Sequence, residues 1–208
     1  MYRKYFKRIF DLILALVALP FWFIILLIIG PITYIQDKGP IFYNAPRLGK
    51  DGNIFKMYKF RSMKVNAPDL RNEDGSTFNS EDDPRLTKLG KFIRKTSLDE
   101  TPQLLNVIKG DMSIIGPRPD LPEHKELYEG NEERKLEVRP GVSGLNQAYY
   151  RNTVPWKERI QNDIYYIDHL TMLLDIKIFL KTVVSVLKRE SVFVEQKSED
   201  KNGEKANV

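Results

Sequence analysis

The chain has 208 residues, which is enough for one domain with an anchor but too short to favour a second full domain. It contains no cysteine, so disulfides, thiolate metal sites and cysteine nucleophiles are excluded. Its formal net charge of +5 is modest, and its basic residues are spread along the chain instead of forming a nucleic-acid-binding run. A membrane is the better match as a partner, because basic residues beside an apolar segment are attracted to anionic headgroups.

An apolar segment without charged side chains extends from Leu12 to Ile35. As a straight helix it could cross a hydrocarbon core about 30 Å thick. Pro20 lies inside the segment, where proline kinks a helix and leaves two arms too short to span alone. The sequence therefore allows a re-entrant helix that bends at Pro20 or an ordinary single-pass helix. Basic residues on both sides favour cytoplasmic ends, namely Arg3, Lys4, Lys7 and Arg8 before the segment and Lys38, Arg47 and Lys50 after it.

The residues after the anchor predict a hairpin and a loop. Two β-prone runs, 41–43 and 54–60, flank a turn that contains Gly49 and Gly52, which is typical of a β-hairpin. Residues 66–84 are polar and predict a mobile surface loop. Asp11, at the edge of the apolar segment, is expected to pair with Lys7 or Arg8 one helical turn earlier.

The second half of the chain predicts more helix. We expect helices over residues 87–95 and 98–108, the second ended by Gly110. The string Gly116-Pro117-Arg118-Pro119 cannot form a regular helix and predicts a rigid extended turn. Helical spacing returns over residues 156–188, with an apolar stripe that either packs on the core or lies in the headgroup layer. The polar tail from residue 195 is expected to be disordered.

One acidic pair stands out beside a predicted helix start. Ser97-Leu98-Asp99-Glu100 has the form of a capping box, in which Ser97 caps the helix and Glu100 returns a hydrogen bond. Pro102 offers a competing start one turn later. Either choice places Asp99 near free backbone N–H groups, which stabilise a carboxylate and an approaching phosphate. Acidic residues in a first helical turn are also common for structural reasons alone, so both interpretations stay open here.

Three basic residues are candidates for binding phosphate. Arg118 lies between two prolines that fix its backbone, so its guanidinium could hold a phosphate through two hydrogen bonds or pair with a structural carboxylate. Lys59 and Arg61 lie on the second predicted strand, where they could neutralise phosphates or block edge-to-edge pairing of the strand.

Several motifs together resemble one protein family. From Lys7-Arg8 and Asp11 to about Lys188, the chain resembles the bacterial sugar transferases, the monotopic phosphoglycosyl transferases that begin glycoconjugate assembly. It resembles their small form, which has a catalytic core and a re-entrant anchor and lacks the multi-helix membrane region of larger relatives. The motifs occur in the family's order: Tyr58-Lys59-Phe60-Arg61-Ser62-Met63, Ser97-Leu98-Asp99-Glu100, Pro102-Gln103-Leu104, Asn106-Val107, Lys109-Gly110-Asp111-Met112-Ser113, Gly116-Pro117-Arg118-Pro119 and Arg139-Pro140-Gly141-Val142-Ser143-Gly144.

The resemblance implies an α+β, predominantly helical fold with a helix-break-helix membrane anchor, a short β-hairpin and amphipathic interfacial helices. The re-entrant anchor would occupy residues 1–36, with its break at Pro20, followed by a catalytic domain over 37–190 and a disordered tail over 191–208. The protein would lie in the bacterial inner membrane, with the catalytic domain on the cytoplasmic face. Family members often have serine before the anchor proline, whereas this chain has Leu19, so that side-chain contribution to the bend is missing.

The resemblance also implies a reaction. A phosphosugar would pass from a UDP-sugar to polyprenyl (undecaprenyl) phosphate, giving polyprenyl diphosphate sugar and UMP. Asp99 would attack the β-phosphorus and form a covalent aspartyl phosphosugar. Asp99 would sit beside the Mg²⁺ that the family requires to offset the crowded negative charge, and Glu100 would orient or help ligate this ion. Arg118 would clamp phosphate, and Lys59 would assist.

Further substrate-binding residues follow from the resemblance: Arg61, Arg139, Gln147 and Asp163. For Asp163 a helix cap or a salt bridge is the structural alternative. Tyr149-Tyr150 stands where many relatives have Asn-Gly, and these rings could reshape a sugar or uracil pocket or simply pack on the surface. The resemblance therefore does not specify the sugar.

Two other functions stay open as alternatives. One is a membrane-anchored adaptor with the same fold but no activity, which retention of Asp99 and Glu100 disfavours. The other is an aspartate-dependent phosphohydrolase, which would release its product without polyprenyl phosphate. The expected partners are a UDP-sugar, the polyprenyl phosphate lipid and the membrane, with no nucleic acid. Downstream glycosyltransferases and a second copy of the chain also remain open as partners.

Overall fold

The computed structural model describes residues 1–70, 78, 80, 82–150 and 153–188. In these residues the chain is mostly helical, with a long apolar N-terminal helix and two small two-stranded sheets, which confirms the coarse fold prediction. The tail from residue 195 and part of the 66–84 loop lie outside the described residues. The helices and strands are α1 (Lys7–Asp37), β1 (Phe42–Leu48), β2 (Ile54–Phe60), α2 (Lys88–Lys95), α3 (Gln103–Lys109), β3 (Ser113–Ile115), β4 (Gly141–Ser143), α4 (Leu145–Tyr149), α5 (Trp156–Asp168) and α6 (Met172–Lys188).

Helix α1 carries an apolar surface along most of its length. With the π-helical turn Tyr2–Phe6 before it, α1 is the one helix among the described residues that is long and apolar enough to cross a membrane. The helix continues through Pro20 and Pro31, so the re-entrant break stays a prediction. A surface of this size needs lipid or protein to cover it. Its exposed side chains include Ile9, Phe10, Ile13, Leu16, Val17, Phe21, Phe23, Ile24, Leu27, Ile28 and Ile35.

The first half of α1 packs against the rest of the chain through buried polar contacts. Asp11 accepts hydrogen bonds from the Ile114 backbone N–H at 2.9 Å and from Ser113 Oγ at 2.8 Å. Lys7 and Arg8 act electrostatically on Asp11, but the predicted direct pair with either is not present in the described residues, because both cations bind other partners. Lys7 Nζ binds Asp175 Oδ2 at 2.7 Å, and the Arg8 guanidinium donates to the last carbonyls of α3.

The second half of α1 contacts the same body of the protein. Ile29 belongs to a core cluster with Phe60 of β2 and Ile93 of α2. At the end of the helix, Arg61 donates to Asp37 Oδ2 at 2.6 Å and to the Thr33 carbonyl at 3.3 Å. Both ends of α1 are thus attached to one domain.

The predicted hairpin is confirmed. Strands β1 and β2 pair antiparallel, from Phe42 opposite Phe60 to Leu48 opposite Ile54. Strand β1 runs further than the predicted 41–43, through Pro46, because a proline without an N–H is tolerated on an edge strand. The connection contains Asp51 and Gly52, whose φ angles of 57° and 76° close a tight turn.

Helices α2 and α3 flank the acidic pair. Thr87 caps α2 by accepting from the Gly90 N–H at 2.9 Å, which confirms the helix predicted over 87–95. The helix predicted over 98–108 is two pieces, a 3₁₀ turn at Leu98–Glu100 and α3, which begins after Pro102. Gly110, with φ 101°, ends α3 as predicted.

The helical spacing predicted over 156–188 is confirmed, and it forms two helices. Helices α5 and α6 are separated at residues 169–171, and their buried Tyr166, Ile167 and Ile178 form a core with Ile115 and Val138. One face of α6 therefore packs on the core. Its opposite face is apolar and exposed at Met172, Leu173, Ile176, Phe179, Leu180, Val183, Val184 and Leu187.

Helix α2 packs closely at Gly90 against Ser62, just after β2, and this contact gives a stability prediction. A Cβ on Gly90 would lie 1.7 Å from the Ser62 carbonyl oxygen. We expect Gly90→Ala to lower the free energy of unfolding by about 2 kcal/mol or more, although alanine is the better helix former. Thermal unfolding of the detergent-solubilised protein measures the effect. The exposed substitution Lys88→Ala in the same helix is the control, and an equal melting temperature for both variants would contradict the prediction.

Candidate active site

The acidic pair lies on the short 3₁₀ turn between α2 and α3. Ser97, just before this turn, has φ 57° and makes no capping hydrogen bond through its side chain. The predicted capping box is therefore wrong, since Ser97 adopts the left-handed conformation and the Glu100 carboxylate points to two cations. The turn places Asp99 and Glu100 beside β2 and beside the turn that carries Arg118.

Glu100 joins Lys59 and Arg118. Its Oε1 atom accepts from Lys59 Nζ at 2.7 Å and from Arg118 Nη2 at 3.1 Å. Burial alone would raise the pKa of Glu100, but Lys59 and Arg118 outweigh it and hold that pKa well below its usual range. Glu100 is therefore ionised at neutral pH and fixes both cations in place.

Asp99 has a different environment from its neighbour. It is 8% exposed, and within the described residues its carboxylate accepts no hydrogen bond. Burial raises the pKa of Asp99 to about 6, with Lys59 opposing and Glu100 adding to the rise. At neutral pH the group is mostly ionised yet more basic than an ordinary aspartate, which suits a carboxylate nucleophile.

A third cation, Arg94, was missed by the sequence reasoning. It lies in the last turn of α2, donates from Nε to Ser62 Oγ at 2.9 Å and acts electrostatically on Asp99. A basic residue one turn before an acidic pair is the signal that could have identified it. Lys59, Arg94 and Arg118 thus all act electrostatically on Asp99, and cations gathered in this way attract phosphate.

Two of the predicted phosphate-binding residues lie elsewhere. The Arg61 guanidinium is 7% exposed and donates to Asp37, Pro40 and Thr33 at the end of α1. Arg139 donates from Nε to the Gly110 carbonyl at 2.8 Å, at the opposite end of α3 from Glu100. The structure does not bring Arg61 or Arg139 to the acidic pair, and their binding of substrate stays a prediction.

Gln147 and Asp163 are also away from the acidic pair. The buried amide of Gln147 has no hydrogen-bond partner in the described residues and lies against Gly144. Asp163 is 1% exposed and binds Lys135 and Asn146, which matches the salt-bridge alternative for this residue. A direct contact of either side chain with substrate stays a prediction.

A divalent cation would find two carboxylates here. In the described part of the chain no group of three or more His, Cys, Asp or Glu side chains could hold a metal ion. The Asp99 carboxylate and Glu100 Oε2 are free of hydrogen bonds within the same residues. This small oxygen donor set fits Mg²⁺, which is commonly held by one or two carboxylates together with substrate phosphates and water.

Comparison with known proteins identifies the family. The profile described as bacterial sugar transferase matches residues 2–189. The chain is 41% identical to the galactosyl transferase CpsE of Streptococcus agalactiae over 87% of its length and 42% of that protein. It is 40% identical to the uncharacterized sugar transferase EpsL of Bacillus subtilis over 89% of each chain. It is 38% identical to the undecaprenyl-phosphate galactose phosphotransferase of Salmonella typhimurium over 91% of its length and 42% of that protein.

The matched segment contains every residue of the acidic pair and its cations. The chain spans less than half the length of two of these relatives and most of the third. The chain belongs to the bacterial sugar transferase family.

Proposed function

We propose that this chain transfers a phosphosugar from a UDP-sugar to polyprenyl (undecaprenyl) phosphate and releases UMP. The names of the Salmonella relative and of a UDP-galactose-lipid carrier transferase in Erwinia amylovora support this assignment. The observation that carries it is the Asp99 carboxylate, which accepts no hydrogen bond from the described residues while Lys59, Arg94 and Arg118 act on it electrostatically. Such a site binds a diphosphate and offers it a nucleophile.

The proposed chemistry has two displacements at one phosphorus atom. A carboxylate oxygen of Asp99 attacks the β-phosphorus, the bond from that phosphorus to the bridging oxygen breaks, and UMP leaves with the electron pair. A phosphate oxygen of the polyprenyl phosphate then attacks the aspartyl phosphosugar, and Asp99 regains its carboxylate. The bond between the sugar C1 and its oxygen stays intact, so the anomeric configuration is kept.

Each charged neighbour has a distinct part in this scheme. Lys59 and Arg118, both fixed by Glu100, neutralise the phosphate oxygens so that an anionic nucleophile can approach. Arg94 acts electrostatically on Asp99 and offsets part of the negative charge of its carboxylate. A Mg²⁺ ion held by Asp99 and Glu100 would supply further charge neutralisation at the diphosphate. The half-exposed side chain of Arg118 leaves its remaining N–H groups accessible to substrate.

The contacts of α1 support a re-entrant anchor at residues 1–36 and a catalytic domain at 37–190. Asp11 and Thr33 both touch the same domain, and in a straight helix they would be about 33 Å apart, close to a hydrocarbon thickness. A straight crossing would place the polar domain inside the lipid. A path that enters and returns at Pro20 keeps the domain on one face, and the basic flanks favour the cytoplasmic face of the inner membrane.

Helix α6 supports the same arrangement. Its exposed apolar face is bordered on one side by Lys177 and Lys181, four residues apart. An amphipathic helix of this kind lies in the headgroup layer with its lysines at the lipid phosphates. The site would then open near the membrane surface, where the phosphate of a polyprenyl lipid is located.

The covalent step predicts an exchange reaction. With Mg²⁺ and no polyprenyl phosphate, labelled UMP should be incorporated into the UDP-sugar. The aspartyl phosphosugar forms reversibly, so it can react with UMP as well as with the lipid. In a panel of UDP-sugars, one donor should support both this exchange and lipid-dependent net UMP release. Asp99→Asn should lower both rates at least about a thousandfold, since the nucleophile is lost.

The control for this experiment is Asp82→Asn, whose side chain is 94% exposed and remote in sequence from the pair. It should leave both rates unchanged. Net UMP release that needs the lipid but occurs without exchange would contradict the covalent intermediate. Release of sugar phosphate to water without lipid would instead identify a phosphohydrolase, and the absence of any turnover would favour the adaptor.

The anchor path is testable with single cysteines, because the chain has none of its own. Lys4→Cys, in the turn just before α1, and Gln36→Cys, in the last turn of α1, mark the two ends of the anchor. Asp82→Cys marks the catalytic domain. A membrane-impermeant maleimide should label all three from the same side of sealed inner-membrane vesicles. Labelling of Lys4→Cys and Gln36→Cys from opposite sides would establish a single-pass helix instead.

A further inference from the structure

The turn that carries Arg118 is fixed at both of its ends. On the entry side, the Gly141 N–H donates to the Pro117 carbonyl at 2.9 Å, beside the parallel pairing of β3 and β4. On the exit side, the Leu48 N–H donates to the Asp120 carbonyl at 2.9 Å. Because Pro117 and Pro119 each have a fixed φ angle, little freedom remains between these two attachments. The position of Asp120 therefore helps to determine the position of Arg118.

Asp120 is itself held by three side chains. Its Oδ2 atom accepts from Lys135 Nζ at 2.6 Å and from the Tyr128 hydroxyl at 2.8 Å, and Oδ1 accepts from Trp156 Nε1 at 3.2 Å. Burial acts to raise the pKa of Asp120, but Lys135 and these hydrogen bonds lower it below its ordinary value. Asp120 is thus a charged anchor point at the end of the Arg118 turn.

Lys135 bridges two carboxylates, those of Asp120 and Asp163. Its side chain is 4% exposed, and besides Asp120 it contacts Asp163 Oδ2 at 3.1 Å. Asp163 Oδ1 accepts from Asn146 Nδ2 at 2.8 Å, so the ion cluster connects the Arg118 turn to α4 and α5. Loss of Lys135 would leave two buried carboxylates facing each other without a counter-ion, which would displace Asp120.

We propose that Lys135 is a positioning residue of the transferase site, which acts through Asp120 to hold Arg118 against Glu100 and the substrate phosphates. Lys135 itself touches neither Asp99 nor Glu100 in the contacts of the described residues. The proposal rests on the proposed function for its kinetic readout. It also predicts a binding effect on UDP, which is measurable whether or not the sugar phosphate is transferred.

The test is a double-mutant cycle of Lys135→Met with Arg118→Ala. Both kcat/KM for the UDP-sugar and the Kd for UDP with Mg²⁺ are measured. Alone, Lys135→Met should lower kcat/KM about tenfold and weaken UDP binding, because Arg118 is misplaced. In the Arg118→Ala background the same change should alter either quantity less than about twofold, since the group through which Lys135 acts is gone. If Lys135→Met only reduced the amount of folded protein, it would lower kcat/KM by the same factor with and without Arg118.

Lys157→Met is the matched control. Lys157 also joins α5 to the 3₁₀ turn Glu132–Glu137, which carries Lys135, through Glu132 Oε2 at 2.8 Å. It makes no contact with Asp120 in the described residues. It should leave both quantities near wild type. If Lys135→Met does not yield folded protein, Tyr128→Phe removes one hydrogen bond to Asp120 and should give a smaller effect with the same dependence on Arg118.

The outcomes separate the two proposals. Equal effects of Lys135→Met, or of Tyr128→Phe in its place, in the presence and absence of Arg118 would overturn the positioning role while transfer by the wild type stands. UDP binding with the expected non-additivity but no transfer by the wild type would overturn the proposed function and keep the positioning role toward phosphate. A wild type that neither binds UDP nor turns over would overturn both.

Discussion

The site depends on one shared acceptor, the Oε1 atom of Glu100. Lys59 reaches it from β2 and Arg118 reaches it from the proline-bounded turn, so three segments far apart in sequence meet at one oxygen. A carboxylate that binds two cations stays ionised, and the two cations are held close together despite their mutual repulsion. Without this contact Lys59 and Arg118 would separate, and the Asp99 carboxylate would lose the positive surroundings that attract a phosphate.

The sequence predicts the local elements well where local signals are strong. The hairpin, the helix over 87–95 and the Gly110 stop follow from local sequence patterns, and each is present. The capping box failed because Ser97 adopts a left-handed conformation and Glu100 is drawn away by Lys59 and Arg118. Periodicity could not reveal that competition, since both cations come from elsewhere in the chain.

Long-range hydrogen bonds and ion pairs account for two of the differences between prediction and structure. Asp11 was assigned to neighbouring cations, yet it binds Ser113 and Ile114 about a hundred residues later. Arg61 was predicted to lie with Lys59 on the second strand, where residues two apart share a face, but β2 ends at Phe60 and Arg61 follows the strand. Its guanidinium instead donates hydrogen bonds to Asp37 and Thr33 at the end of α1. A buried charge binds the partner that the tertiary fold places beside it, because a buried charge without a partner strongly destabilises the folded protein.

The two adjacent carboxylates acquire different chemistry from these same long-range contacts. Glu100 has two direct cationic partners that keep its pKa low. Asp99 is buried, accepts no hydrogen bond from the part of the chain that the structure describes, and has a pKa raised to about 6. Paired titratable groups whose environments separate their pKa values commonly divide catalytic roles. Here Glu100 is bound by the two cations and Asp99 is the more basic carboxylate, which is the difference that the proposed nucleophilic role of Asp99 requires. Their positions in the sequence could not show which carboxylate has the higher pKa. The positions of Lys59 on β2 and of Arg118 on its turn determine that difference.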